Sequence, residues 1–251
     1  PISFLDDFQI PYTFVFGNHD CEMGSTCDKE QLTDIFSTGK YAIFTKGRYE
    51  HSAKDPIAGV GNFVLNLVDS EDHLLLPLIM LDSNMYGDGW FFSGFDCIHE
   101  DQTDWCMEKL HAGKVPAMAF FHMPPAEFKE AYEKMKLGDH SVIYEHGSIG
   151  EKDEYFGISN RTPHFFQKAV HNGLLKWIFC GHDHLNTLSL TYQGIRMTYG
   201  MSIDYLGYSG IAKQYVQRGA TLITRRPDGE VAISMVPLTK VVSTRVRGEK
   251  S

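Results

Sequence analysis

The chain has 251 residues, 32 acidic against 23 basic, a formal net charge of −9, 43% hydrophobic and 22% charged residues. These values exclude a disordered, collagenous or coiled-coil chain and fit one domain of ordinary size. The acidic balance argues against nucleic acid or an anionic membrane as the main partner, because either needs a basic patch, so an anionic substrate would need a local positive source such as a metal.

The opening residues, from Pro1 to Phe4, read as the interior of a helix. Tyr12 to Phe16 is a continuous apolar, β-prone run between Pro11 and Gly17, which predicts a buried strand delivering Gly17-Asn18-His19-Asp20 at its end. Asp28 followed by Gln31, with Leu32, Ile35 and Phe36 behind, predicts a capped helix ending near Gly39. Phe63 to Val68 and Leu74 to Leu81 predict two paired strands, with Pro77 a blemish on the second. That second run is also the longest apolar stretch, far short of the roughly 18 residues of a membrane helix.

Asp101 to Ala112 reads as an amphipathic helix, Val115 to Phe121 as a strand ending at His122, and Pro125 to Lys136 as a helix. The polar, Gly-rich stretch from Leu137 to Asn160 shows no period and reads as a long surface loop or lid. Thr162-Pro163 predicts a helix start, with Gly173 the cap after Asn172. Leu174 to Cys180 predicts a strand delivering Gly181-His182-Asp183-His184. An all-β pattern follows: Leu188 to Tyr192, a Gln193-Gly194 turn, Ile195 to Tyr199, Ala220 to Thr224, a turn at 226–229 and Val231 to Val236. The organisation is one domain over residues 1–238 and a tail over 239–251. The five cysteines are too few and too irregular for a disulfide scaffold, with Cys21–Cys27 and Cys97–Cys106 the only pairs to consider.

Three of these strands end in histidine-bearing turns. Ligand sites in open α/β sheets lie beyond the carboxyl ends of the strands, so the three turns could converge on one site. Imidazole and amide or carboxylate oxygen suit borderline metals such as Zn, Fe and Mn.

In order and spacing, Gly17-Asn18-His19-Asp20, the lone His122 after Ala119-Phe120-Phe121, and Gly181-His182-Asp183-His184 resemble the calcineurin-like metallophosphoesterase superfamily. Leu81-Asp82-Ser83, His122-Met123-Pro124 and Leu185-Asn186 extend the resemblance to its purple-acid-phosphatase-related branch, over about residues 10 to 215. The resemblance implies a four-layer α/β/β/α metallophosphoesterase sandwich with its N-terminal part missing. It also implies two divalent or trivalent ions (Fe, Mn or Zn), with Asn18, His122 and His182 on one and His184 on the other. His19 would protonate the leaving alkoxide, and Asp20 would orient it. Two such ions clamp the phosphate and generate a bridging hydroxide for in-line displacement. The implied function is phosphoester hydrolysis, with a phosphoester substrate and no nucleic-acid partner.

The sequence also departs from the family pattern. The Asp-x-His and Gly-Asp motifs that supply the other ligands do not precede Gly17, so the chain is expected to be the C-terminal part of a longer protein and to bind metal weakly by itself. The alternative is a non-catalytic binding or scaffold protein on the same fold, or an inactive fragment. Weaker candidates have equally ordinary readings as loop or core. His140, Tyr144, His146, Glu151 and Asp153 could form a lid; Met201, Tyr205 and Tyr208 could line a pocket; Trp90-Phe91-Phe92 could be a rim; Cys21 could affect metal loading.

Overall fold

A computed structural model describes residues 2–22, 24–87, 94–161, 163–213 and 218–238, so the Trp90-Phe91-Phe92 run and the 239–251 tail lie outside the described residues. Its elements in chain order are α1 (Ile2–Asp7), α2 (Lys29–Phe36), β1 (Phe63–Val68), β2 (Leu74–Met80), α3 (Glu100–Gly113), β3 (Ala117–Phe120), α4 (Ala126–Lys136), β4 (Val142–His146), α5 (Phe165–Asn172), β5 (Leu175–Cys180), β6 (Ser189–Tyr192), β7 (Ile195–Tyr199), β8 (Gly219–Arg225) and β9 (Val231–Pro237). Seven strands form one mixed sheet in the order β1-β2-β3-β5-β7-β6-β4, while β8 and β9 form a separate hairpin. The mixed α/β architecture is the one the sequence implied.

Neighbouring strands β2, β3, β5 and β7 run parallel, and β1, β6 and β4 are antiparallel to their neighbours. The four parallel strands therefore open their carboxyl ends at one sheet edge. Alternation along β3 and β5 then sorts the two faces. Ala117, Ala119, Ile178 and Cys180 meet the helices through Trp105, Leu110, Phe128, Ala131 and Phe166. Met118, Trp177 and Phe179 face the other way, where Ile233, Ile223 and Val231 of the hairpin cover them as a second β layer. Pro77 is tolerated because the β2–β3 ladder begins only at Leu78.

Capping follows the sequence closely at α2. Asp28 accepts from the Gln31 N–H at 2.8 Å and Gln31 returns a bond to the Asp28 N–H at 3.0 Å. Gly173 ends α5 in the left-handed region at φ 75°. All five cysteines are free thiols.

Three expectations are corrected. Residues 12–16 do not join the sheet; among the described residues their only ladder contact is the Tyr12–Ala42 bridge. Phe14 stacks on Phe44 at 3.7 Å, and Phe16 sits with Phe44, Val60, Phe63 and Met80. The apolar run thus specified burial, which side-chain packing satisfies without strand pairing. The stretch 137–160 is not all loop, because β4 pairs antiparallel with β6 and closes that side of the sheet. As an edge strand it buries only Val142 fully, which removes the alternation by which a strand is recognised. Finally, α5 begins at Phe165, with His164 at its N-cap.

Candidate functional site

The turn after Phe16 is closed by the Gly17 N–H, which donates to Asp20 Oδ2 at 2.7 Å. Gly17 is required sterically, since a Cβ there would lie 2.9 Å from the His122 ring. This close approach seats Asn18, 1% exposed, against the residues delivered by β3 and β5. Asn18 Oδ1 is 2.9 Å from His122 Nε2 and 3.1 Å from His182 Nδ1, and the two ring nitrogens are 3.3 Å apart. Burial pushes His122 down to about 3 and His182 down to about 4, and the neighbouring imidazoles add to the effect. Both rings are therefore neutral at pH 7, with lone pairs available for ligation.

His182 holds the left-handed conformation at φ 73°, uncommon for a residue with a side chain. It is kept there by a tight lid: a Cβ on Gly157 would lie 2.2 Å from His182 Cδ2. The next residue, Asp183, fastens that lid by accepting from the Gly157 N–H at 3.0 Å and from the Tyr199 hydroxyl at 2.6 Å. Burial raises the Asp183 carboxyl to about 6.

Three donors bonded tetrahedrally to one ion at 2.0–2.1 Å lie about 3.3 Å apart. The 2.9–3.3 Å separations among Asn18, His122 and His182 fit that spacing, and their chemistry suits a borderline metal. Among the described residues no three His, Cys, Asp or Glu side chains converge in this way; here the third donor is an amide oxygen.

His184 stands apart from the trio, its Nδ1 2.6 Å from Asp204 Oδ2 and its ring 6.4 Å from that of His19. Asp204 escaped the sequence reading, although its position just past β7 placed it at the same sheet edge. Arg218, 1% exposed, donates to the Asp204 carbonyl at 2.6 Å and fixes that loop. The expected partner of His19 is also corrected. His19 Nδ1 lies 2.9 Å from Glu22, while Asp20 is occupied by the Gly17 N–H.

A cleft of about 200 Å³ opens over Asn18, His19, His182 and His184, walled by Tyr86 and Tyr208. Glu151, one of the lid candidates, reaches this wall and accepts from the Tyr208 hydroxyl at 2.9 Å. His146 lies instead in β4, 3.2 Å from Arg196.

No protein-family model matches the chain, and no solved structure matches it. Among curated proteins it is 26% identical over 218 residues to "Probable inactive purple acid phosphatase 29" of Arabidopsis thaliana, covering 80% of this chain and 52% of that protein. It is 29% identical over 193 residues to "Phosphatase DCR2" of Saccharomyces cerevisiae, covering 72% of this chain and 31% of the yeast protein. "Probable inactive purple acid phosphatase 28" of Arabidopsis thaliana is 25% identical over 220 residues, at 80% and 52% coverage. The chain thus spans about half the length of the plant relatives and under a third of the yeast one.

Proposed function

We propose that this chain, related to purple-acid-phosphatase-like proteins within the calcineurin-like metallophosphoesterases, carries a metal-dependent phosphoester hydrolase site. Asn18, His122 and His182 would hold one ion and His184 a second, of Fe, Mn or Zn. The observation that carries this reading is the convergence of two half-buried imidazoles and a buried amide oxygen within 3.3 Å of one another. Packing alone does not require that arrangement.

Bound ions of this kind neutralise phosphoryl oxygens and lower the pKa of water. The residues do the rest. Asp204 holds Nδ1 of His184 and leaves Nε2 to face the cleft, as outer-shell carboxylates do for ligating imidazoles. His19, at the cleft mouth with its side chain 57% exposed, protonates the leaving oxygen. No Lys or Arg is among the described residues lining the cleft of this acidic chain, so attraction for a phosphate falls to the ions.

The plant relatives named as inactive favour a second reading, a non-catalytic binding protein on the same fold. Titrating Mn²⁺ or Zn²⁺ into the chain while following nitrophenyl phosphate hydrolysis separates the two. Weak metal-dependent turnover that disappears in His182→Ala is expected. Metal binding without turnover on any monoester or diester would favour the binding protein instead.

A further inference from the structure

The hydrogen bonds around His19 run on to Asn18 through two residues that carry no role so far. Glu22 Oε1 lies 2.9 Å from His19 Nδ1 and 2.6 Å from the Tyr86 hydroxyl oxygen. That oxygen lies 3.2 Å from Asn18 Nδ2. The donor directions follow from chemistry. An ionised carboxylate only accepts, so both the Tyr86 O–H and the His19 Nδ1–H point at Glu22, and the Tyr86 oxygen is left to accept from the Asn18 amide. Hydrogen bonds from Tyr86 and then His19 hold the Glu22 carboxyl below its ordinary value, which keeps it an acceptor. Tyr86 is itself braced by Phe95, stacked at 5.9 Å and bridged to it across the backbone.

We propose that Glu22 and Tyr86 are positioning residues that set the proton-bearing nitrogen of His19 and the amide orientation of Asn18 as one unit. The proposal rests on the hydrolase reading for its purpose but not for its geometry. With Nδ1–H committed to Glu22, Nε2 is the nitrogen left to exchange a proton with a leaving oxygen, since the bond made by one ring nitrogen decides the state of the other. With Nδ2 committed to Tyr86, Oδ1 of Asn18 must face His122 and His182. A flipped amide would present N–H groups there and could not ligate. Asp20, next to His19 in the chain, turns its Oδ2 to the Gly17 N–H instead.

Nitrogen-resolved NMR of the chain near pH 8, with the His19 resonances identified by their loss in His19→Ala, tests the first half without metal or turnover. The expected state is Nδ1–H, shifting toward Nε2–H in Glu22→Ala. An unchanged tautomer in that variant would overturn the assignment. Zn²⁺ titration tests the second half. Tyr86→Phe should weaken binding at least severalfold while leaving the His19 tautomer in place, and unchanged affinity would refute the role in orienting Asn18.

In turnover, Glu22→Ala should lower kcat about tenfold for an alkyl phosphate and hardly at all for nitrophenyl phosphate. It should add nothing in a His19→Ala background. Equal losses on both esters would count against positioning. A tautomer shift in a chain that hydrolyses no ester would uphold the positioning and reject the hydrolase reading. Turnover with no tautomer shift would do the reverse.

Discussion

Gly157 shows how one absent side chain can shape the site. Its Cα faces the His182 ring so closely that a Cβ would stand 2.2 Å from Cδ2 and 2.8 Å from Asp183 Oδ1. His182 cannot retreat without leaving Asn18 Oδ1 and His122 Nε2. Gly157→Ala is therefore expected to lower Zn²⁺ affinity more than tenfold while the circular dichroism of the fold is unchanged. Calorimetric titration of both proteins measures this.

Asp82 makes a different residue-scale case. It is 1% exposed and takes both oxygens to Lys29 Nζ at 2.8 and 2.7 Å, with a further bond from the Val60 N–H at 2.8 Å. Removing one partner of a buried pair strands the other charge, which costs about 3 kcal/mol or more. Lys29→Met should lose roughly that amount in urea unfolding, and Lys29→Met with Asp82→Asn should lose less than Lys29→Met alone.

At the scale of elements, α3 and α5 are tied through Glu100, which accepts from Lys168 at 2.8 Å and contacts His164 Nδ1 at 2.5 Å. Lys168 first and His164 second pull the Glu100 carboxyl down to about 2 from an ordinary 4.5. A lowered folded-state value means the stabilisation is complete above the unfolded value and disappears as pH falls from about 4.5 through about 2. Wild type should thus exceed Glu100→Gln in stability at pH 7, with the gap closing across that window. Because the side chain is half exposed, the gap should be small and should shrink further in 1 M salt. At the start of α2, the reciprocal bonds of Asp28 and Gln31 predict that Asp28→Ala costs about 1 kcal/mol, measurable by the same denaturant series.

For the whole molecule, the sheet separates stability from chemistry. Its side chains fill the two faces, and its strand ends carry the site. Ile233 on the hairpin packs with Leu76, Met118 and Phe179 across the face opposite the helices. Ile233→Ala should cost about 2 kcal/mol by leaving a cavity there. Zn²⁺ affinity should be unchanged, because His122 and His182 follow β3 and β5 at the sheet edge and the segment that carries Asn18 packs with Phe44, Val60 and Phe63, apart from the Ile233 cluster. A parallel loss of affinity would show that the hairpin also props the edge.

Most elements, and the meeting of the two histidine-bearing turns after β3 and β5, could be read from local pattern. Periodicity and caps are contiguous in the chain, and parallel strands must present their carboxyl ends together. Residues whose state depends on distant partners could not be read this way. Residues 12–16 carry a strand's composition but pack as Phe14 on Phe44 instead of pairing, and β4 exists only because β6 offers it an edge. The resemblance gave Asp20 the role of orienting His19, and nothing in the sequence marked Glu22, three residues beyond the histidine, for it. Tertiary structure decided otherwise: the Gly17 N–H donates to Asp20 Oδ2, and the turn brings Glu22 Oε1 to 2.9 Å from His19 Nδ1.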